Sequence, residues 1–197
     1  SVARPQGVRA LLAARIDALP AYARNVLALA ACVGNEFHVE LLDSILAPSH
    51  GEPIGREIEL LTARGLITRA DHSGKLRFTE SITRELVYDR LTRKALVQLH
   101  GALAQAMERS AQRDELPAED IGEHFAKGQF QGKALDWFDR ALEQAANTVD
   151  TARTARILRR SCEVARAHLA GPNSKDAVRR LTAYTLHLGE ALIASGE

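Results

Sequence analysis

The sequence predicts an all-α chain with one small β-hairpin in its first half and antiparallel helical hairpins in its second half. Three observations support this fold class. Apolar residues recur at helical spacing over most of the 197 residues, and a period of two occurs only near residues 66–78. The breaks between the later helical stretches are short, and short connections make consecutive helices run antiparallel.

Composition limits the class of protein. With 46% hydrophobic and 26% charged residues, the chain can form one large or two small packed domains. Its 26 Lys and Arg against 25 Asp and Glu provide no general attraction to nucleic acid or anionic lipid. No apolar run approaches the roughly 20 residues of a membrane span, and the first residues lack the apolar core of a signal peptide. Cys32 and Cys162 lie far apart in helical patterns, which predicts reduced, packed thiols and a cytoplasmic location.

Four helical stretches are predicted before residue 66, and each ends at a recognisable break. Pro20 separates the first two, Gly34 follows the second, Ala47-Pro48 ends the third, and Gly65 closes the fourth in a left-handed conformation. Their apolar stripes are Val8, Leu11, Leu12, Ile16 and Leu19; Tyr22, Val26, Leu29, Ala30 and Val33; Val39, Leu41, Leu42, Ile45 and Leu46; and Ile54, Ile58 and Leu61.

A β-hairpin is predicted directly after these helices. Residues 66–69 and 75–78 alternate with a period of two, and they flank the turn-forming residues Asp71-His72-Ser73-Gly74. Three helices closed by one small hairpin form the winged-helix arrangement, which is a variant of the helix-turn-helix. Residues 1–92 are therefore predicted to form a winged-helix domain.

Residues 93–197 are predicted to be helical throughout. After a stripe from Leu96 to Met107 and a break at 112–117, helices are expected at 118–127, 133–147, 151–169 and 176–195. Small and large residues alternate within them, and Leu188-Gly189 precedes Leu192 as in the first helix of a tetratricopeptide repeat. The partner helix of that repeat is missing, so we expect Glu197 to be a cut inside a longer array of tetratricopeptide-like hairpins.

The sequence contains no motif for chemistry. It lacks a phosphate-binding GxxxxGK[ST] loop, a GxGxxG turn, an HExxH helix and a CxxC pair. Glu123-His124 has no second histidine one turn further on, and His100 shares an apolar stripe with Leu96 and Leu103, as a packed histidine would. We therefore predict no catalytic, cofactor-binding or metal-binding residues.

Positive charge concentrates on the helix at 151–169. Such a face is usually solvated, and Asp150, Glu163 or neighbouring helices would neutralise it. The functional interpretation is a docking site for an acidic segment of a protein partner, since helical repeats commonly bind extended partners. The candidate partner-binding residues are Arg153, Arg156, Arg159 and Arg160.

The winged helix could also bind DNA, and its charges argue against this. The helix expected to enter the groove carries Glu52, Glu57 and Glu59 against Arg56 and Arg64. These carboxylates would repel phosphates, and the basic residues of the hairpin offset them only in part. A packing role for the winged helix is therefore favoured over DNA recognition.

Several segments carry a family likeness, namely 11–20, 26–37, 61–67, 78–88, 99–100, 123–125 and 133–138. Together they resemble the region that follows the ATPase module in large bacterial signalling ATPases of the STAND class. These proteins are often fused to class III adenylate or guanylate cyclases or to LuxR-type DNA-binding domains. The resemblance implies a non-catalytic regulatory fragment that relays the nucleotide state of an upstream ATPase domain in the same parent chain. It also implies that the repeat face binds a protein partner, and it is compatible with a homo-oligomer. The alternative is a fragment of a LuxR-type transcriptional regulator with DNA binding.

One departure from the family pattern lies at the end of the hairpin. The family commonly has Phe-Arg-His there, whereas this chain has Phe78-Thr79-Glu80. In related ATPases a histidine near this junction is implicated in sensing nucleotide. A carboxylate repels a nucleotide phosphate unless a cation intervenes, so the departure argues against a sensing role for Glu80.

Overall fold

The structure is a computed structural model that describes residues 5–70, 74–110, 117–146, 150–169 and 174–195. Within these ranges it contains ten helices and one small antiparallel sheet, so the predicted mostly helical class with a small β-element is confirmed. None of the helices in these ranges has both the length and the apolarity of a membrane span. Four parts of the predicted pattern lie outside the described residues, as does Glu197: the hairpin residues 71–73, the break at 112–116, and the connections at 147–149 and 170–173.

The chain divides into two compact units, Ser1–Ala106 and Met107–Glu197. The sequence prediction placed the division at residue 92, before the long helix that contains Ala106. The first unit and this helix comprise α1 (Pro5–Asp17), α2 (Ala21–Val33), β1 (Glu36–Phe37), α3 (Val39–His50), α4 (Gly55–Ala63), β2 (Ile67–Arg69), β3 (Leu76–Phe78), α5 (Ser81–Asp89) and α6 (Arg93–Ser110). The remaining helices are α7 (Ala118–Lys127), α8 (Gln131–Ala146), α9 (Thr151–His168) and α10 (Ser174–Ser195).

The predicted hairpin is present, and it belongs to a sheet of three strands. β2 and β3 pair antiparallel with Thr68 opposite Arg77, and β1 pairs with the other edge of β3. One face of the sheet is buried, where the rings of Phe37 and Phe78 meet edge to face at 5.8 Å. The sequence interpretation missed β1, because two residues are too few to show a period.

The end of α4 confirms the predicted role of Gly65. Gly65 has φ 63°, its N–H donates to the Thr62 carbonyl at 2.8 Å, and the N–H of Leu66 donates to the Leu61 carbonyl at 3.0 Å. This pair of bonds satisfies two carbonyls at the end of the helix and turns the chain into β2. Leu61 and Leu66 are both buried in the core of the first unit.

Two details of the first unit correct the sequence prediction. Leu12, Ile16 and Leu19 are buried as expected, but Val8 and Leu11 are exposed, because α1 packs against the unit along only one narrow face. The predicted break at Ala47-Pro48 is also wrong, since α3 continues through Pro48 to His50. A proline in the last turn removes only one helical hydrogen bond, and Gly51, at φ 82°, then ends the helix.

In the second unit, helices two apart in sequence run side by side in the same direction. Glu119 and Glu123 of α7 pair with Arg153 and Arg160 of α9, so higher numbers on one helix meet higher numbers on the other. α8 contacts both of these helices and connects them, so it runs opposite to them. Leu188-Gly189, predicted to belong to a first repeat helix, lies near the end of α10, and a Cβ at Gly189 would meet nothing within 4 Å.

Candidate protein-interaction surface

The four candidate arginines lie on α9, whose start is fixed by Asp150. The Asp150 carboxylate accepts a hydrogen bond from the Arg153 N–H at 2.9 Å, which satisfies one of the free donors of the first helical turn. One face of α9 carries the buried residues Ile157, Leu158 and Cys162. The arginines therefore project from the remaining circumference of the helix.

Three of these arginines contact carboxylates of α7 or of α9. Arg153 and Arg156 both reach Glu119, with nitrogen–oxygen distances of 3.4 and 3.1 Å. Arg160 lies 2.6 Å from Glu123 and 2.8 Å from Glu163. The hydrogen bonds with Glu119 and Glu123 raise the pKa values of Arg156 and Arg160, so both guanidinium groups remain charged.

This charged face can serve in two ways. As an ion-pair ladder it aligns α7 with α9, although exposed pairs of this kind contribute little to stability. As a docking surface it retains exposed cationic groups, since Arg156 and Arg159 both remain accessible to solvent. The partner-binding role of the four arginines stays a prediction. Neutralisation by carboxylates of a neighbouring helix is observed for Arg153, Arg156 and Arg160.

A second charged cluster joins α8 to α10 and was missed by the sequence interpretation. Arg180 contacts Asp136, Asp139 and Asp176 at 2.6, 2.9 and 2.8 Å, and its side chain is only 20% exposed. The Tyr184 hydroxyl donates to Asp139 at 2.6 Å. The sequence carries a partial signal, because Asp136 and Asp139 are three residues apart on α8. Asp176, Arg180 and Tyr184 are likewise spaced by four residues on α10. Nothing in the local sequence indicates that these two sets of residues contact each other.

Burial is the largest single influence on the pKa of each of these three groups, and it decides the direction of the shift for Asp139 and Tyr184. It raises the pKa of Asp139, against the hydrogen bond from Tyr184 and the charge of Arg180, which act to lower it. Burial and Asp139 together raise the pKa of the Tyr184 hydroxyl, which therefore stays protonated as a donor. Burial lowers the pKa of the Arg180 guanidinium. The hydrogen bond to Asp136 and the negative charges of Asp136 and Asp139 outweigh burial and raise this pKa above its usual value.

The last turn of α6 is fixed within the second unit by Glu108. Its carboxylate accepts from Lys133 Nζ at 2.7 Å and from Trp137 Nε1 at 3.2 Å. Burial tends to raise the pKa of Glu108, but these two hydrogen bonds outweigh it and leave the pKa below its usual value. Arg140 lies 4.5 Å from the centre of the Trp137 ring, which adds a cation–π contact.

His100 and the two cysteines lie where structural residues are expected. His100 is buried, and its Nε2 lies 3.0 Å from the Tyr88 hydroxyl. Cys32 and Cys162 are buried and form no disulfide, which confirms the predicted packing of the thiols. Among the described residues, no group of three or more His, Cys, Asp or Glu side chains is placed to hold a metal ion.

Comparisons with protein-family models, with curated proteins and with solved structures gave no significant match to this chain. Function is therefore inferred from the contacts described above.

Proposed function

We propose that this chain is a non-catalytic regulatory and interaction module of a multidomain bacterial signalling protein. In this proposal a winged-helix-like unit receives the nucleotide state of an upstream ATPase domain in the same parent chain. α6 passes the resulting movement to tetratricopeptide-like hairpins, which bind a protein partner. The observation that carries the proposal is that one uninterrupted helix belongs to both compact units.

Both ends of α6 are anchored, each within its own unit. Leu99 and Leu103 pack with the core of the first unit, and His100 contacts Tyr88 of α5. At the other end, Met107 is buried and Glu108 bonds to α8. Both sets of contacts lie on one unbroken helix of 18 residues, and a continuous helix transmits rotation and translation along its length.

The order of elements in the first unit supports the winged-helix part of the proposal. The chain runs α2, β1, α3, α4, β2 and β3, with β3 in the middle of the sheet. Three helices interleaved with three short strands in this order are typical of winged helices. α4, in the position of a recognition helix, exposes Arg56 in an ion pair with Glu52 at 3.7 Å and also exposes Glu59. This surface fits a packing role better than a phosphate-binding role.

The α7–α8 hairpin supports the tetratricopeptide part. That repeat has a Leu-Gly pair followed by an aromatic residue three positions later, and then an alanine and an aromatic residue four apart in the next helix. Ile121-Gly122, Phe125, Ala134 and Phe138 follow this pattern, and all of them are buried. A Cβ at Gly122 would lie 2.9 Å from the Phe138 ring, so only glycine permits this approach of the two helices.

The substitution Gln105→Pro tests this proposal, because it interrupts the α6 helix without altering a buried side chain. Gln105 is exposed on α6, and proline at this position would remove its N–H and clash with the Gly101 carbonyl. Backbone ¹⁵N relaxation should give one rotational correlation time for the wild-type chain and for the Gln105→Ala control. For Gln105→Pro it should give two shorter times. Two independent times in the wild-type chain would show that α6 does not link the units and would refute the relay.

A further inference from the structure

The outward face of α10 carries an apolar stripe. Val178, Leu186 and Ile193 are 53%, 63% and 81% exposed, whereas Ala177 and Tyr184 on the opposite side of the helix are buried. The exposed residues fall on one line together with Thr182 and Gly189, because positions 178, 182, 186, 189 and 193 are separated by three or four residues. This is the spacing of a helix–helix seam.

The stripe has large residues separated by hollows. Thr182 and Thr185 donate their hydroxyl hydrogens to the Val178 and Leu181 carbonyls at 3.0 and 2.7 Å, so their hydroxyls are satisfied within α10. Gly189 has no side chain, and the space beside it forms part of a groove of about 630 Å³ bordered by Leu186 and Ile193. Such a surface accepts large apolar side chains from a facing helix.

Opposite charges flank the two ends of this stripe. Arg179 and Glu190 are both exposed and are 11 residues apart, about three turns and roughly 16 Å along the same side of α10. If two α10 helices pack antiparallel about a two-fold axis level with residues 184 and 185, Arg179 of each copy faces Glu190 of the other. A parallel pairing would place like charges together. Arg179 also contacts Asp176 at 2.8 Å, but its side chain is 78% exposed and keeps free donor positions.

We propose that the outward face of α10 is a homodimer interface that binds the same face of a second copy in antiparallel orientation. The two-fold axis makes the surface self-complementary: Ile193 of each copy packs near Val178 of the other, Leu186 of each copy packs near Thr182 of the other, and two Arg179–Glu190 pairs close the ends. This inference depends only on α10. It can fail while the relay through α6 survives, and the reverse is also true.

The test uses two charge reversals on the full chain and sedimentation equilibrium. The wild-type chain should show a concentration-dependent monomer–dimer equilibrium. R179E alone places two pairs of carboxylates at the interface, and E190R alone places two pairs of cations there, so each should raise the dimer Kd at least about tenfold. An equimolar mixture of R179E and E190R should restore association, because both pairs in the mixed dimer again have opposite sign.

Controls separate this result from misfolding and from other interfaces. Lys94→Glu is a charge reversal on an exposed residue of α6 and should leave the dimer Kd unchanged. Leu186→Asp should abolish the dimer and keep the helical circular dichroism of the wild-type chain, since Leu186 is exposed in the single chain. A wild-type chain that remains monomeric at millimolar concentration would overturn the proposal and would favour the next helix of a longer array as the occupant of this face. A mixture of R179E and E190R that associates no better than either variant alone would also overturn it.

Discussion

Replacing Arg180 by methionine should destabilise the second unit more than any other single removal of a surface arginine. Methionine preserves most of the apolar stem of the side chain, so the change removes mainly the three contacts with Asp136, Asp139 and Asp176. Breaking a fully buried ion pair typically costs about 3–5 kcal/mol. The three carboxylates are 41–59% exposed, so solvent screens part of this cost, and we expect a loss of about 2 kcal/mol in the free energy of unfolding at pH 7.

The loss should depend on pH in a defined direction. Arg180 opposes the burial-driven rise in the pKa of Asp139, so this carboxyl should take up a proton at higher pH in the variant than in the wild-type chain. A carboxyl whose pKa is raised on folding is destabilising when charged, and protonation relieves that penalty. The difference between the two proteins should therefore shrink as the pH falls from 7 towards about 4, near the ordinary pKa of an aspartate.

Urea denaturation followed by circular dichroism measures this effect. Arg166→Met is the matched control, because Arg166 is exposed on α9, and it should change the free energy of unfolding by less than about 0.5 kcal/mol. A double-mutant cycle with Asp139→Asn isolates the coupling across α8 and α10. If Arg180→Met unfolds at the same urea concentration as Arg166→Met, the cluster does not hold these helices together.

Three further predictions follow from single contacts. Gly122→Ala should lower the stability of the second unit by about 1–3 kcal/mol, since its Cβ would overlap the Phe138 ring, whereas Gly132→Ala adds a Cβ in open space and should be neutral or slightly stabilising; thermal unfolding compares the two. Glu108→Gln should lower the free energy of unfolding by about 1 kcal/mol at pH 7 and should leave it unchanged well below pH 4.5. The reason is that a carboxylate with a lowered pKa stabilises the fold only while it is charged. Urea denaturation at pH 7 and at pH 3 measures this difference. The chain should show no salt-dependent affinity for duplex DNA in fluorescence anisotropy and no binding of ATP, ADP or GTP in calorimetry; strong DNA binding that weakens steeply with salt would favour the alternative of a transcriptional regulator.

The parts of the fold that local sequence determines were predictable. The switch from helical spacing to alternation located β2 and β3, and Gly65 after a helical stripe located the left-handed end of α4. β1 was not predictable, because its two residues become a strand only by pairing with β3, some 40 residues later in the chain. Periodicity also cannot tell which side of an apolar helix is covered, and for this reason Leu11 was wrongly expected to be buried.

The candidate site was also predictable only where its signal is local in the sequence. The arginines of α9 were visible as a local concentration of charge, but their carboxylate partners on α7 lie more than 30 residues earlier in the chain. The cluster around Arg180 was not predictable, because its partners Asp136 and Asp139 lie on another helix, more than 40 residues earlier in the chain. Local composition therefore indicates which residues carry charge, and only the packing of the helices shows which charges are already paired.

Native-state hydrogen exchange on variants of the first unit tests the relay through α6 most directly. Leu42→Ala removes a fully buried side chain from the core of the first unit and should destabilise that unit by about 2–5 kcal/mol. If α6 couples the units, this substitution should also speed amide exchange in α7 and α8, and adding Gln105→Pro should abolish that distant effect while Gln105→Ala preserves it. Unchanged exchange in α7 and α8 after Leu42→Ala would contradict the relay, as would a distant effect that persists after Gln105→Pro.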